Sequence, residues 1–243
     1  FATNAAGSAV NDEDGLVTSD SFTAVYYPWG TTTDLAGNNV FVPPSHMILR
    51  SLAVNDDVAF PWFAPAGIRR GGITNATSTG FVDAEGEFNV IALNEGQRDT
   101  LYAQNVNPIT FITGAGLVNY GQKTRFAGTS SLDRINVSRL TVFLRTQLDA
   151  IAKPFIFEPN DELTRNEIKQ AVESFLLELV GQRALFDFLV VCDSSNNTPD
   201  LIDKNEFVAE IYIKPARSIN FITLTFVATR TGVSFEEVIP RRS

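Results

Sequence analysis

TRNEIKQAVESFLLELVG, residues 164–181, is the stretch of this sequence with the clearest structural signal. It opens with a capping-box pattern, in which the Thr164 and Glu167 side chains bond each other's backbone amides. Gly181 is typical of a helix end. We therefore predict an amphipathic helix here, because its apolar residues recur every three or four positions. These residues are Ile168, Ala171, Val172, Phe175, Leu176 and Leu179.

Regular elements flank this helix on both sides. Before it, residues 137–151 carry a second apolar stripe that ends before Pro154 and predicts another helix. After it, residues 188–192, 207–213 and 219–228 are rich in β-branched and aromatic residues, which predicts three strands. Helices and strands are interspersed without strict alternation. We therefore predict an α+β fold, with helices packed on a mixed β-sheet.

The first part of the chain has fewer regular elements. Residues 22–27 predict a strand that stops at Pro28, and a polar loop follows. Ser45 is a candidate N-cap for a helix that ends near Asp57. The residues that supply the apolar side of this helix are Met47, Ile48, Leu49 and Leu52.

Residues 71–80 are small, polar and bounded by glycines, a composition typical of an exposed loop or an interdomain link. We therefore predict two domains, residues 1–85 and residues 86–243. The second begins with a strand at 87–93, a short helix at 94–104 capped by Asn94, and strands at 108–113 and 117–120.

Composition excludes some classes of protein. The net charge of −9 and the pI near 4.7 argue against a nucleic-acid groove, which needs clustered Lys and Arg. The single cysteine, Cys192, cannot form an intrachain disulfide and fits a reducing cytosol. No apolar run is long enough for a membrane helix. Because the first residue is Phe1 and a polar stretch follows, we expect the sequence to begin inside a longer natural chain.

One motif resembles a phosphate-binding loop. Residues 116–124, GLVNYGQKT, have the glycines and the Lys-Thr pair of a P-loop, but Gln122 separates Gly121 from Lys123. A true P-loop needs the Lys directly after the last Gly, so that the loop amides and the ammonium converge on one phosphate. We interpret the stretch as a glycine-bounded strand or turn. A nucleotide-binding enzyme that uses it is the alternative function.

No other catalytic or metal site emerges. His46 is the only histidine, and no nucleophile is placed to use it. Glu158, Asp161 and Glu162 lack the spacing of a calcium loop, and an acidic turn before a helix N-terminus accounts for them. We therefore predict no cofactor, no metal and no enzymatic activity.

Several phrases, in order over about 200 residues, resemble the sheath proteins of contractile bacteriophage tails, a family similar to pyocin and type VI secretion sheaths. The first phrases are YPW at 27–29, VPPS at 42–45 and APAG at 64–67. The later ones are NPI at 107–109, GQKT at 121–124, INVSRL at 135–140, FEPND at 157–161, NTP at 197–199 and KPA at 214–216. The resemblance makes residues 1–85 a segment of the family's middle domain and residues 86–243 its C-terminal domain.

The resemblance implies a structural protein of the virion tail, assembled in the host cytoplasm. Stacked hexameric rings would surround a tail tube, anchored to a baseplate and closed by a tail terminator. Contraction would drive the tube through the host envelope. Such a polymer needs heterologous contacts that propagate along a helix. A receptor-binding tail component that does not polymerise is a second alternative.

Two sets of residues are candidate contact sites. Arg165, Lys169 and Arg183 flank the apolar stripe of the 164–181 helix, and we predict that they face the tube or a neighbour, with a solvated helix face as the alternative. Residues 232–240 form a short apolar stretch with little chain left to pack on it. The resemblance implies that this arm joins the sheet edge of another subunit, and a locally folded terminus is the alternative. Its apolar residues, the predicted subunit interface, are Val233, Phe235, Val238 and Ile239.

Overall fold

The computed structural model describes residues 19–128 and 130–218 of the 243. The strands are β1 (Val25–Tyr27), β2 (Trp29–Thr33), β3 (Asn39–Val42), β4 (Ser78–Val82), β5 (Phe88–Val90), β6 (Val106–Ile112), β7 (Gly116–Asn119), β8 (Leu185–Val191) and β9 (Glu210–Pro215). The helices are α1 (Pro44–Val58), α2 (Glu95–Ala103), α3 (Ile135–Ala152), α4 (Glu162–Gly181) and α5 (Pro199–Asp203).

The strands of the described residues form three sheets. β1 pairs in parallel with β6, and β7 pairs antiparallel with β6. The second sheet is antiparallel in the order β3-β2-β4-β5, and the third is the antiparallel pair β8-β9. This mixture of sheets and interspersed helices confirms the predicted α+β class. None of the helices in the described ranges has the length and apolar character needed to cross a membrane.

Helix α4 starts one turn before its predicted N-terminus. The Oδ1 of Asp161 accepts the N–H of Thr164 at 2.9 Å, so Asp161 is the N-cap and the box predicted at Thr164 and Glu167 is wrong. The predicted stripe is correct, since Ile168, Val172, Leu176 and Leu179 are its buried residues.

The start of α1 is also corrected, because Pro43 occupies the N-cap position and the helix begins at Pro44 rather than after Ser45. Proline suits the first helical turn, where its missing N–H would have no partner. Met47 and Ile48 are buried as predicted, but Leu49 is exposed.

The largest hydrophobic cluster lies between α3, α4 and the inner face of the β8-β9 sheet. Leu140 of α3 and Leu176 of α4 are fully buried in it, and full burial of such a side chain contributes about 1.5–3 kcal/mol. Trp62, from the segment after α1, inserts into the same cluster. The cluster therefore holds the two long helices, the β8-β9 sheet and part of the first 85 residues together.

Residues 71–80 are not the exposed loop that their composition predicts. The Ile73 N–H donates to the Leu117 carbonyl at 2.8 Å, and the Asn119 N–H donates to the Gly71 carbonyl at 2.7 Å. A Cβ on Gly71 would lie 2.6 Å from the Asn119 carbonyl oxygen, so glycine is required by this close approach. The stretch is instead packed against β7, and its end enters β4.

The division at residues 85 and 86 stays a prediction. This position lies in the turn between β4 and β5, where the Asp83 N–H donates to the Glu87 carbonyl at 3.0 Å and the Glu87 N–H donates to the Asp83 carboxylate at 2.8 Å. Strand β1 of the first part pairs with β6 of the second.

Two other local predictions differ from the structure, and a third is not tested by it. The polar loop after Pro28 is a hairpin, β2-β3, whose turn is held by the Asp34 carboxylate accepting the Asn38 N–H at 2.8 Å. The strand predicted at 207–213 starts at Glu210, because Asn197 bonds both backbone groups of Val208 at 2.8 Å. The strand predicted at 219–228 lies outside the described residues.

Candidate assembly site

The β8-β9 pair is a two-stranded sheet with one covered and one open face. Phe188 and Val190 of β8 and Ile211 and Ile213 of β9 pack toward the cluster with α3 and α4. No other strand within residues 19–128 and 130–218 pairs with either edge of this sheet. Unpaired edges present backbone N–H and C=O groups to any strand that arrives, and an isolated pair of strands is only marginally stable.

The open face is apolar at its centre. Leu189 is 58% exposed and lies opposite Tyr212, which is 56% exposed. Phe186, beside the register shift in β8, is 72% exposed. We call Phe186, Leu189 and Tyr212 the apolar patch, and exposed patches of this kind typically mark interaction surfaces.

Charged groups border the apolar patch. The Lys214 ammonium lies 2.8 Å from the Asp187 carboxylate across the two strands, and both side chains are largely exposed. The Lys214 charge and hydrogen bond lower the pKa of Asp187. Solvent screens an exposed pair of this kind, so it adds little to the stability of the sheet.

The three predicted contact cations do not form one cluster. The Arg165 guanidinium donates to the Asn160 carbonyl at 3.2 Å and to its side-chain oxygen at 3.0 Å. Burial raises the pKa of the Cys192 thiol, and the nearby charges of Arg165 and Lys169 act against that rise. Both cations therefore lie near the last residues of β8. Arg183 lies beyond the other end of α4, about 27 Å along the helix axis from Arg165.

Arg183 occupies an unusual backbone conformation. Its φ is 63°, in the left-handed region that glycine normally fills after a helix. The helix closes here, since the Ala184 N–H donates to the Leu179 carbonyl at 2.9 Å. A non-glycine residue in this conformation costs about 1 kcal/mol, so the backbone at Arg183 is locally strained.

Arg183 belongs to a second basic group, which the sequence analysis missed. Partial burial, together with the charges of Arg69 and Arg183, lowers the pKa of Arg70. The Arg70 guanidinium also lies over the Phe63 ring, 4.9 Å from its centroid. The adjacent pair Arg69-Arg70 in an acidic chain was the available signal in the sequence.

The residues predicted as the subunit interface, Val233, Phe235, Val238 and Ile239, lie outside the described residues. So does the rest of the arm at 232–240.

The P-loop-like stretch at 116–124 is occupied by structural contacts. Its first part is strand β7, as predicted. The Lys123 ammonium donates to the Tyr102 carbonyl at 2.6 Å and lies 4.4 Å from the centre of the Tyr102 ring. The Thr124 hydroxyl donates to the Leu132 carbonyl at 2.9 Å. No helix begins at Thr124, so the loop lacks the helix N-terminus that a phosphate cradle uses.

Among the acidic residues beside the start of α4, Asp161 is the N-cap, the role that was predicted for Thr164, and Glu162 lies in the first turn. Hydrogen bonds from Thr164 lower the pKa of the Asp161 carboxyl. Nowhere in the described ranges do three or more His, Cys, Asp or Glu side chains gather in a way that could hold a metal ion.

Comparison with known proteins gives matches of three kinds. Residues 128–229 match the family described as the phage tail sheath C-terminal domain. The chain is 42% identical over 201 residues to the tail sheath protein of Vibrio phage KVP40, which covers 83% of this chain and 28% of that protein. It is 41% identical over 200 residues to the tail sheath protein of Enterobacteria phage T4, in an alignment that covers 82% of this chain and 29% of that protein. The chain thus spans less than a third of the length of these relatives.

Two solved assemblies share the fold. The helical sheath of the anti-feeding prophage in the contracted state matches with a TM-score of 0.74 and 23% identity, over 92% of this chain and 59% of that one. The sheath complex of an extracellular contractile injection system, PVC, in the contracted state matches with a TM-score of 0.74 and 21% identity. The match covers 87% of this chain and 57% of that one.

Proposed function

Because the chain belongs to the family of contractile tail sheath proteins, we propose that it forms stacked hexameric rings around a tail tube and that contraction drives the tube through the host envelope. The observation that carries the proposal is the identity of 42% over 201 residues with the KVP40 tail sheath protein. Sequence identity of that extent favours a shared structural role.

The proposed partners follow from this role. They are other sheath subunits, the tail tube protein, a baseplate and a tail terminator. The protein is a component of the virion tail, and its assembly takes place in the host cytoplasm. Its acidic charge of −9 favours protein partners over nucleic acid.

The β8-β9 sheet is a suitable place for one subunit to hold another. Its two edges accept a strand through main-chain hydrogen bonds, while alternate side chains of the added strand set the register. The arm at 232–240, with Val233, Phe235, Val238 and Ile239, supplies such a strand from a neighbouring subunit. A contact of this kind is heterologous, and it therefore propagates into a helical polymer.

The basic groups offer a second contact. Lys169 and Arg165 at one end of α4, and Arg183 with Arg69 and Arg70 at the other, face the tube or a neighbouring subunit. Acidic surfaces on the partner would pair with them and fix its orientation.

Contraction driven by subunit packing needs no nucleotide. A sheath stores its energy in a metastable packing of subunits and releases it when the packing rearranges. The alternative, an enzyme that binds a nucleotide at residues 116–124, is not favoured, because the Lys123 ammonium already binds the Tyr102 carbonyl.

The test is assembly of the protein encoded by the full reading frame that contains residues 1–243. Negative-stain electron microscopy and sedimentation should find long tubes, alone or on added tail tubes. Discrete, non-polymerising particles at every concentration would favour the receptor-binding alternative. ATP turnover abolished by Lys123→Ala would favour the enzyme.

A further inference from the structure

The segment that joins α3 to α4 places an exposed aromatic ring at one end of the helix pair. Phe157 is fully exposed, and Ile156 beside it is 60% exposed. The φ of Phe157 is 77°, a left-handed conformation that is an outlier for a bulky residue. Strain of this kind persists only where the surrounding structure imposes it, and it concentrates at functional positions. Phe157 is therefore a candidate contact residue.

Hydrogen bonds hold the chain after Phe157 in place. The Asn160 side-chain amide donates to the Glu206 carbonyl at 3.0 Å. The Arg165 guanidinium donates to the backbone and the side-chain oxygens of Asn160. The ring is thus presented by a preorganised backbone, which lowers the entropic cost of binding a partner.

The same segment is acidic. Glu158, Asp161 and Glu162 are exposed, and residues 156–162 contain no cation. We call residues 156–162 the acidic tip. A guanidinium group binds carboxylates through paired hydrogen bonds and aromatic faces through cation–π contacts. The acidic tip therefore suits a partner surface that is rich in arginine.

The second basic group is a surface of this kind, and it lies beyond the other end of α4. Its members are Arg69, Arg70 and Arg183. The Trp62 indole bonds the carbonyl of Gln182, the residue before Arg183. Phe63, the residue after Trp62, lies beneath the Arg70 guanidinium. None of the three arginines forms an ion pair with another residue of the described ranges, so their charges are available to a partner.

One molecule cannot bring its own two surfaces together. Helix α4 has 20 residues, and at about 1.5 Å per residue it separates the acidic tip from Arg183 by about 30 Å. A contact between the two surfaces therefore joins two copies of the chain. Because the surfaces differ, the contact is heterologous, and each added copy leaves one surface of each kind open for the next.

We propose that the acidic tip of one copy docks on the second basic group of the next copy. The Phe157 ring lies against the guanidinium groups, and the carboxylates of Glu158 and Glu162 pair with them. This contact rests on the proposed function, since it is one of the contacts that build the sheath polymer. It is separate from strand addition at the edges of the β8-β9 sheet.

Other partners account for only one of the two surfaces. Residues 219–243 carry three arginines and two glutamates, so their net charge is positive and the second basic group repels them. Residues 12–14, Asp-Glu-Asp, match the charge of the second basic group, but no aromatic residue occurs among residues 2–21. An acidic surface on a tail tube would likewise leave Phe157 exposed to water. A second copy covers both surfaces with one contact.

The experiment exchanges the charges of the two surfaces in the full-length protein and measures polymer by sedimentation. The tip variant is Glu158→Lys with Glu162→Lys, and the arginine variant is Arg69→Glu with Arg183→Glu. Each variant should raise the protein concentration needed for polymerisation at least about tenfold, because like charges then face each other. The four substitutions combined in one chain should restore polymerisation to within about threefold of the parent, since every contact again joins opposite charges.

Two further variants test the contact. Phe157→Ala keeps every charge and should also raise the concentration needed for polymerisation, because the ring is lost. Glu85→Lys with Glu87→Lys is the matched control, since it makes the same change of charge at exposed residues of the β4–β5 turn, and it should polymerise like the parent. Circular dichroism during thermal unfolding checks that every variant is folded.

The pattern of results distinguishes the partners. Loss in the arginine variant alone would assign the second basic group to the tail tube or to residues 12–14. Loss in the tip variant alone would assign the acidic tip to the arginines of residues 219–243. Loss in both without rescue in the combined chain would give the two surfaces separate partners. Each of these results overturns the proposed contact while the parent still polymerises, whereas a parent that forms no polymer would overturn the proposed function as well.

Discussion

Trp62 donates its indole N–H to the carbonyl oxygen of Gln182 at 3.2 Å. The bond joins the segment after α1 to the end of α4, 120 residues further along the chain. The Trp62 ring also stacks on Phe60, with centroids 4.6 Å apart, and contacts Phe143 of α3. This one side chain therefore ties the first part of the chain to the cluster beneath the β8-β9 sheet.

Removing the Trp62 ring should destabilise the protein strongly. We expect Trp62→Ala to lower the free energy of unfolding by about 3–5 kcal/mol, the usual loss for a buried aromatic ring. Trp62→Phe, which chiefly removes the hydrogen bond and part of the ring, should cost less. Urea unfolding of the chain 1–243 measures both. Trp29→Ala is the control, since Trp29 is partly exposed, and an equal loss in that variant would contradict the role given to Trp62.

The Asp161 cap should make stability depend on pH. The pKa of its carboxyl is lowered below the ordinary 3.8, chiefly by the Thr164 amide, so the unfolded chain binds this proton more readily than the folded one. Its contribution is then present above pH 3.8 and is lost as the pH falls through the lowered value.

Asp161→Ala should therefore lower the urea midpoint at neutral pH, and the difference from the parent should shrink in acid. Glu162→Ala, which removes a neighbouring carboxylate without a capping bond, is the control. A difference that stays constant down to the most acidic conditions would count against the capping role.

A helix cap was predictable from the sequence where only one residue near the helix start could serve as the cap. The Asn94 cap of α2 was predicted and is present, with the Gln97 N–H donating to the Asn94 side chain at 2.9 Å. At α4 the Thr164 box was the wrong choice, because Asp161 also stands before the apolar stripe and caps the helix one turn earlier. Two capping signals so close together cannot be ranked from sequence spacing alone.

Contacts between distant parts of the chain were not predictable. The small residues at 71–80 gave no sign that Gly71 and Ile73 bond β7, since that depends on where β7 comes to lie. The apolar patch could not be predicted from the sequence for a similar reason. Leu189 and Val190 are both apolar, and only the packing of β8 on α4 decides which of them is buried.

The variant Arg183→Gly tests the role of the Arg183 charge separately from the stability of the fold. Glycine relieves the left-handed backbone, so we expect the variant to be as stable as the parent or more stable by up to about 1 kcal/mol. If Arg183 faces the tube or a neighbour, the same variant should assemble less well in the full-length protein.

Asn205→Gly is the matched control, because Asn205 also has a left-handed φ, of 60°, but no charge. Unchanged assembly by Arg183→Gly and by Lys169→Glu would remove support for the basic contact. Arg165 is less suitable for this test, since its reversal would also break the bonds to Asn160.

Deletion of residues 232–243 tests the arm. We expect the full-length protein without them to remain a cooperatively folded monomer that no longer polymerises, because the β8-β9 edges of its neighbours would stay empty. Circular dichroism during thermal unfolding and sedimentation measure the two properties. Normal tubes from this truncation would refute the proposed role of the arm as a link between subunits. An unfolded product would show that the arm belongs to the core of its own domain.

Electron microscopy of polymers from the full-length protein decides whether it is a sheath subunit. We predict tubes whose end-on class averages show sixfold symmetry and whose central channel admits a tail tube. Open fibres without a channel, or monodisperse particles under all assembly conditions, would show that it is not.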